Sequence, residues 1–155
     1  MPADFDWAHE IAGRIEAKRS AAAPVPCHND LLNANFLDDG ERLCIVDWEY
    51  AGMGDPFFDL GNFSINHELT AQEDAALLAA YDAATPRSDH VARLARLTLM
   101  RIVSDFREAM WGVLQQGIST LDVDFVEYAD EHFERLLHNA TGFGFEVQLH
   151  EVAGD

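Results

Sequence analysis

The chain has 155 residues, 48% of them apolar, and a net charge of −18 from 28 acidic and 10 basic side chains. That length and apolar content predict a single domain with a real core and exclude general disorder. The charge excludes nucleic acid as a partner and suits a cationic ligand, though it equally serves solubility; no apolar run is long enough to span a bilayer.

The first residues, Met1-Pro2-Ala3-Asp4-Phe5-Asp6, are acidic and lack the apolar stretch of a secretory signal, so a cytoplasmic location is expected. Asp4 or Asp6 is expected to cap a first helix with Ala8, Ile11, Ala12 and Ile15 on one face, ending near Arg19-Ser20. An Ala- and Pro-rich link over 21–26 leads into a polar loop that carries His28 and Asp30. Phe36-Leu37 and Leu43-Cys44-Ile45-Val46 flank Asp38-Asp39-Gly40, the pattern of a β-hairpin. A short helix is expected after Asp59. Thr70-Ala71-Gln72-Glu73 reads as a capping box before an Ala- and Leu-rich helix.

Thr85-Pro86-Arg87-Ser88 should break the chain before a long helix from about Asp89 to Gln116. Leu94, Leu97, Ile102, Phe106, Ala109, Met110 and Val113 form its expected buried stripe, and Gly117 its stop. A last helix is expected over about Asp122 to His138, with Phe125, Ala129, Phe133, Leu136 and Leu137 inward. Residues 5–140 make the expected ordered core. The tail from Thr141, with Phe143-Gly144-Phe145-Glu146-Val147, reads as an edge strand or a disordered end. Cys27 and Cys44 read as reduced, partly buried thiols, with no CxxC or HxxxH spacing for a metal.

The chemistry concentrates between His28 and Asp59. Asp30 stands in a His-x-Asp triplet, Asn35 follows five residues later, and Asp47 ends an apolar run. A phosphotransferase needs such a set: a carboxylate near the accepting hydroxyl, and an amide with a second carboxylate for Mg²⁺ on ATP. The hairpin places Asn35 and Asp47 at its adjoining ends, where both can reach one ion. Mg²⁺ prefers oxygen ligands, and phosphate oxygens would complete the shell. Asp and Asn are also common turn residues, so each alone reads equally as structural; the full set carries the argument.

His28-Asn29-Asp30 through Asn35, Asp47-Trp48-Glu49-Tyr50-Ala51 and Gly54-Asp55-Pro56-Phe57-Phe58-Asp59-Leu60-Gly61 resemble the choline kinase and aminoglycoside phosphotransferase superfamily. Cys27-His28-Asn29-Asp30-Leu31 and Asp47-Trp48-Glu49-Tyr50-Ala51 look closer to choline/ethanolamine kinases than to antibiotic kinases. The resemblance implies an α+β, mainly helical fold, a protein-kinase-like C-terminal lobe with a small β-hairpin. It implies Asp30 as the catalytic carboxylate, Asn35 and Asp47 as Mg²⁺ ligands, and Leu37 and Val46 as the apolar floor under adenine. His28 would brace the loop. Asp59 would hold it from the next helix, or serve equally as a plain N-cap.

Only 27 residues precede His28, their lysine Lys18 lies in a helical pattern, and no glycine-rich loop is present. The expectation is therefore a lobe whose N-terminal partner lobe is absent, weak in catalysis by itself and prone to self-association through the uncovered surface.

The resemblance also implies a small cationic hydroxylated substrate, choline or ethanolamine, with an aminoglycoside as the alternative. A non-catalytic cation-binding module is the alternative outside enzymes. Tyr50, Trp111 and Tyr128 match aromatic pocket positions, and Glu49 would add negative charge. Trp111 and Tyr128 are equally readable as core aromatics. A second pocket Trp found in eukaryotic choline kinases is not evident after Trp111.

Overall fold

The computed structural model describes residues 5–19, 23–83 and 88–152. In chain order the elements are α1 (Asp6–Glu16), β1 (Val25–Cys27), a 3-10 turn (Asn33–Asn35), β2 (Phe36–Asp38), β3 (Leu43–Ile45) and β4 (Gly52–Gly54). Five helices follow: α2 (Pro56–Asn66), α3 (Ala71–Asp82), α4 (His90–Ile118), α5 (Phe125–Ala140) and α6 (Phe143–Val152). The fold is mainly helical, with two small antiparallel sheets, β1–β4 and β2–β3. No helix among the described residues is long and apolar enough to cross a membrane.

The expected hairpin is present, with Phe36 opposite Ile45 and Leu37 opposite Cys44. Asp39 Oδ1 accepts from the backbone of Glu41 and Arg42, and Gly40 takes a positive φ of 85°, which closes the turn. The second sheet was not foreseen. Val25-Pro26-Cys27 and Gly52-Met53-Gly54 are too short and too rich in Pro and Gly to show alternation.

α4 is the axis of the molecule, with α1, α2, α3, α5 and α6 packed on it. Leu97, Ile102 and Ala109 of the expected stripe are buried, while Leu94, Phe106, Met110 and Val113 are half-buried. The buried face also includes Ala95, Leu99 and Met100. It is wider than one stripe because partners surround the helix. Gly61 sets the α2–α4 crossing: a Cβ there would stand 2.6 Å from the backbone carbon of Met100.

Several boundaries differ from expectation. α1 ends at Glu16, its N-cap is Phe5 without a side-chain cap, and Asp4 lies outside the described residues. α2 starts earlier than expected, because Asp55 caps it and Pro56 occupies its first turn. Thr70 and Glu73 form the expected capping box. The break at 85–87 lies outside the described residues. α4 continues through Gly117 to Ile118. Leu137, expected inward, is 46% exposed, because α5 turns it to the solvent flank of Phe133 and Leu136. Within the segment after Thr141, expected as an edge strand or a disordered end, Phe143–Val152 instead forms α6, whose Phe145, Leu149 and Val152 join Ile15, Leu99, Ile102 and Leu136 in the core.

Candidate active site

The loop from His28 to Asp30 is pinned from below by α2. Asp59 Oδ2 accepts from the His28 backbone N–H at 2.7 Å, and its Oδ1 from that of Asn29 at 2.8 Å. One turn on, Asn62 accepts from the Leu31 N–H and donates to Ser104 Oγ at 2.9 Å. Asp59 thus bonds the loop, while Asp55 takes the helix cap. Asn62 was missed; its position three residues after Asp59 on one helix face was the available signal.

His28 ties the loop to the hairpin. Its Nδ1 accepts from the Asp30 N–H at 3.2 Å, so Nε2 carries the proton donated to the Val46 carbonyl at 2.9 Å. Its ring also meets Trp48 edge-on at 4.6 Å. Asn35 Nδ2 donates to the Asp30 carbonyl at 2.8 Å and to Asp30 Oδ2 at 3.2 Å. The Val46 N–H donates to the Asn35 carbonyl at 3.0 Å, so the hairpin ends adjoin as expected. Asp47 follows at once, exposed and with φ of 63°, a left-handed conformation that Asp tolerates.

Asn35 fits a metal role chemically. Its amide nitrogen is spent on Asp30, which leaves the carbonyl oxygen as the group available to a hard cation. Asp47, next in the chain after the Val46 that bonds Asn35, offers an exposed carboxylate. Leu37 is 54% exposed and shares a hairpin face with Cys44, while Val46 is half-buried. These two lie on the hairpin, apart from the hollow that receives Asp30. Burial, with the Asp59 and Asp55 carboxylates nearby, pushes the Cys27 thiol above its ordinary pKa.

That hollow, about 340 Å³, is lined by Asp30, Glu49, Tyr50, Trp111 and Tyr128, together with Leu32, Arg107 and Glu108. All four expected substrate residues therefore meet at the expected catalytic carboxylate. Asn29 Nδ2 donates to the Tyr50 carbonyl at 2.9 Å and fixes that side of the opening. Trp111 and Tyr128 meet edge-on, 5.6 Å apart at 66°. Gly112 allows this approach, since a Cβ there would come 2.9 Å from Tyr128 Cδ1. A larger hollow of about 650 Å³ between α1 and α5, lined by Trp7, Ile11 and Phe133, contains none of these residues.

Sequence reasoning missed Arg107 and Glu108. Arg107 Nη2 donates to Asp30 Oδ1 at 2.7 Å and to Glu108 Oε1 at 2.6 Å, and Nη1 bonds the Asn29 carbonyl. Tyr128 Oη donates to Glu108 Oε2 at 2.8 Å. Burial and the neighbouring Glu108 push the Tyr128 phenol well above its ordinary pKa, so it stays protonated and donates. Burial works against the Arg107 charge, but Glu108 and Asp30 outweigh it and raise its pKa. The signal was spacing: Arg107 and Glu108 precede Trp111 by four and three residues, hence share its helix face.

Residues 2–95, more than half of the chain, match the phosphotransferase enzyme family. The chain belongs to that family. Among its relatives, ethanolamine kinase 2 of Mus musculus is 34% identical over 146 residues, covering 81% of this chain and 37% of that protein. A choline/ethanolamine kinase family protein from Mesorhizobium loti superposes with a TM-score of 0.85 at 33% identity, over 100% of this chain and 52% of that one. The choline kinase LicA from Streptococcus pneumoniae gives 0.68 at 26% identity, over 88% and 47%. The chain thus spans between about a third and about half of these relatives. Its helical lobe has the choline-kinase-like fold that the motifs implied.

Proposed function

We propose that the protein carrying this chain phosphorylates the hydroxyl of a small amino alcohol, ethanolamine or choline, using ATP and Mg²⁺. The observation that carries this reading is the single hollow in which Asp30 meets Glu49, Glu108 and three aromatic side chains. Its size suits a molecule of a few heavy atoms with a cationic end and a hydroxyl end. Family membership and the amino-alcohol kinases among its relatives support the same reading.

In this mechanism the ammonium end rests against the carboxylates and ring faces, which leaves the hydroxyl toward Asp30. Asp30 accepts a hydrogen bond from that hydroxyl, orients its lone pair for attack on the γ-phosphorus of ATP, and takes its proton as the new P–O bond forms and the bond from that phosphorus to the departing ADP breaks. Asn35 Nδ2 and Arg107 Nη2 hold the two Asp30 oxygens, so the carboxylate is aimed before substrate arrives. Asn35 and Asp47 are the residues that would hold Mg²⁺, and the exposed hairpin face with Leu37 would meet the nucleotide base. When bound, ATP and Mg²⁺ supply the phosphoryl group and neutralise its charge. The surroundings shield the acceptor end from competing water, since His28, Asp30 and Glu108 are all buried.

Titration calorimetry of ethanolamine, choline and kanamycin into the chain tests the pocket. Binding of an amino alcohol is expected. Kanamycin binding with silence from both amino alcohols would reverse the substrate, and silence from all three would remove the reading. Phosphoryl transfer is followed with labelled ATP. The chain by itself is expected to turn over slowly, because its sequence holds no glycine-rich loop or strand lysine.

A further inference from the structure

Glu108 is 4% exposed, yet it belongs to the wall of the acceptor hollow. A buried carboxylate is costly unless held, and this one is held at both oxygens. Arg107 donates to Oε1 through Nη2 at 2.6 Å and Nε at 3.2 Å, and Tyr128 donates to Oε2 at 2.8 Å. Oε1 is filled by its two donors, while Oε2 keeps an acceptor site beyond the Tyr128 bond. The group is therefore fixed in direction before any ligand arrives, which lowers the ordering cost of binding.

The charge count around the hollow is unequal. Three carboxylates, Asp30, Glu49 and Glu108, face one guanidinium, Arg107, which is shared between two of them. An incoming monocation reduces that imbalance. The ring faces are less free than the carboxylates. The Arg107 guanidinium already lies over Tyr50, 5.8 Å from its centroid. Tyr128 is flanked by His132 at 4.6 Å and by Trp111 at 5.6 Å. A trimethylammonium group depends on open ring faces and cannot donate a hydrogen bond. A primary ammonium brings three N–H donors and can satisfy fixed carboxylate oxygens directly.

We propose that Glu108, fixed by Arg107 and Tyr128, reads the acceptor's ammonium group and selects N–H-bearing amines over quaternary ones. Arg107 is a positioning residue in this arrangement. One guanidinium ties the carboxylate facing the hydroxyl end, Asp30, to the carboxylate facing the ammonium end. The inference rests on the amino-alcohol reading of the hollow, and it adds which group discriminates and in which direction.

The test is a binding series of ethanolamine, N-methylethanolamine, N,N-dimethylethanolamine and choline, titrated into the chain and its variants. Affinity is expected to fall along the series by about tenfold or more in total, the scale of a charge-assisted hydrogen bond. In Glu108→Gln the ratio of choline to ethanolamine dissociation constants should collapse to within about threefold of unity. Tyr128→Phe, which keeps the ring but releases Glu108 Oε2, should move the ratio the same way by a smaller factor. A purely structural role would weaken all four ligands together and leave the ratio unchanged, which overturns the inference. Choline binding equal to or tighter than ethanolamine also overturns it, as does the absence of binding by any of the four. Should the amine order hold while the longer protein that carries this chain shows no phosphoryl transfer, the function reading fails and this inference survives. Should transfer occur with a flat series, the function stands and Glu108 does not discriminate.

Discussion

Both oxygens of Asp59 are taken up by main-chain N–H groups of His28 and Asn29, and Asn29 sits at φ of 65°. Asn tolerates the left-handed region, and these bonds fix it there next to the proposed catalytic carboxylate. Asp59→Ala should therefore lower stability by about 1–3 kcal/mol in urea unfolding, the cost of leaving held donors unpaired. It should lower turnover as well. Asp47 has the opposite character, being exposed. Asp47→Asn keeps the left-handed tolerance and the shape while removing the charge. Ethanolamine phosphorylation is expected to vanish while stability stays within about 0.5 kcal/mol of wild type; an active variant would refute its metal role. Tyr128 gives a pH prediction. Its folded pKa is raised by burial and by Glu108, so its stabilising contribution is complete below the ordinary phenol value of about 10. Above that value the unfolded chain ionises first and the contribution is lost. Stability of wild type should fall more steeply above about pH 10 than that of Tyr128→Phe, measured by denaturant midpoints.

The elements divide into those written locally and those written by contact. The β2–β3 hairpin was legible because its turn residues and flanking apolar runs act within about ten residues. The same holds for the Thr70–Glu73 box and the long α4. The β1–β4 pair was not legible, because its partners lie far apart in the chain, from Cys27↔Gly52, 25 residues apart, to Val25↔Gly54, 29 apart, and carry no alternation. α6 was misread for a related reason. Phe143 to Val152 contains Gly144 and alternates near its start, and only the shelf offered by Ile15, Leu99 and Ile102 makes it a helix. At the site, the motif residues were readable one by one. The Arg107–Glu108 link was not, because a charged pair on a helix reads as a solvated face until the neighbouring helix buries it. The α2–α4 crossing yields a direct test. Gly61→Ala forces a methyl against the Met100 backbone, which cannot give way as a side chain would. A loss of about 1–3 kcal/mol or more is expected, together with weaker ligand binding, since Asp59 and Asn62 flank that contact. An unchanged denaturation midpoint would show that the helices separate at little cost.

Across the whole molecule, the charge of −18 surrounds a hollow that already has an excess of carboxylates. Long-range attraction should then contribute to capture of a cation. Raising salt from about 0.01 M to about 1 M shortens the screening length from ~30 Å to ~3 Å. The ethanolamine dissociation constant should rise several-fold over that range; a flat response would confine recognition to the residues in contact.

α6 sets a limit on how this protein can be dissected. Phe145, Leu149 and Val152 roof the same apolar chamber that Ile15 closes from α1, and Arg14 clasps Glu146 at 2.7 Å. A shortened version that stops at Ala140 would leave that chamber open to water. It should lose upward of about 3 kcal/mol and come out of expression as aggregate, although every motif that betrays its chemistry lies far upstream.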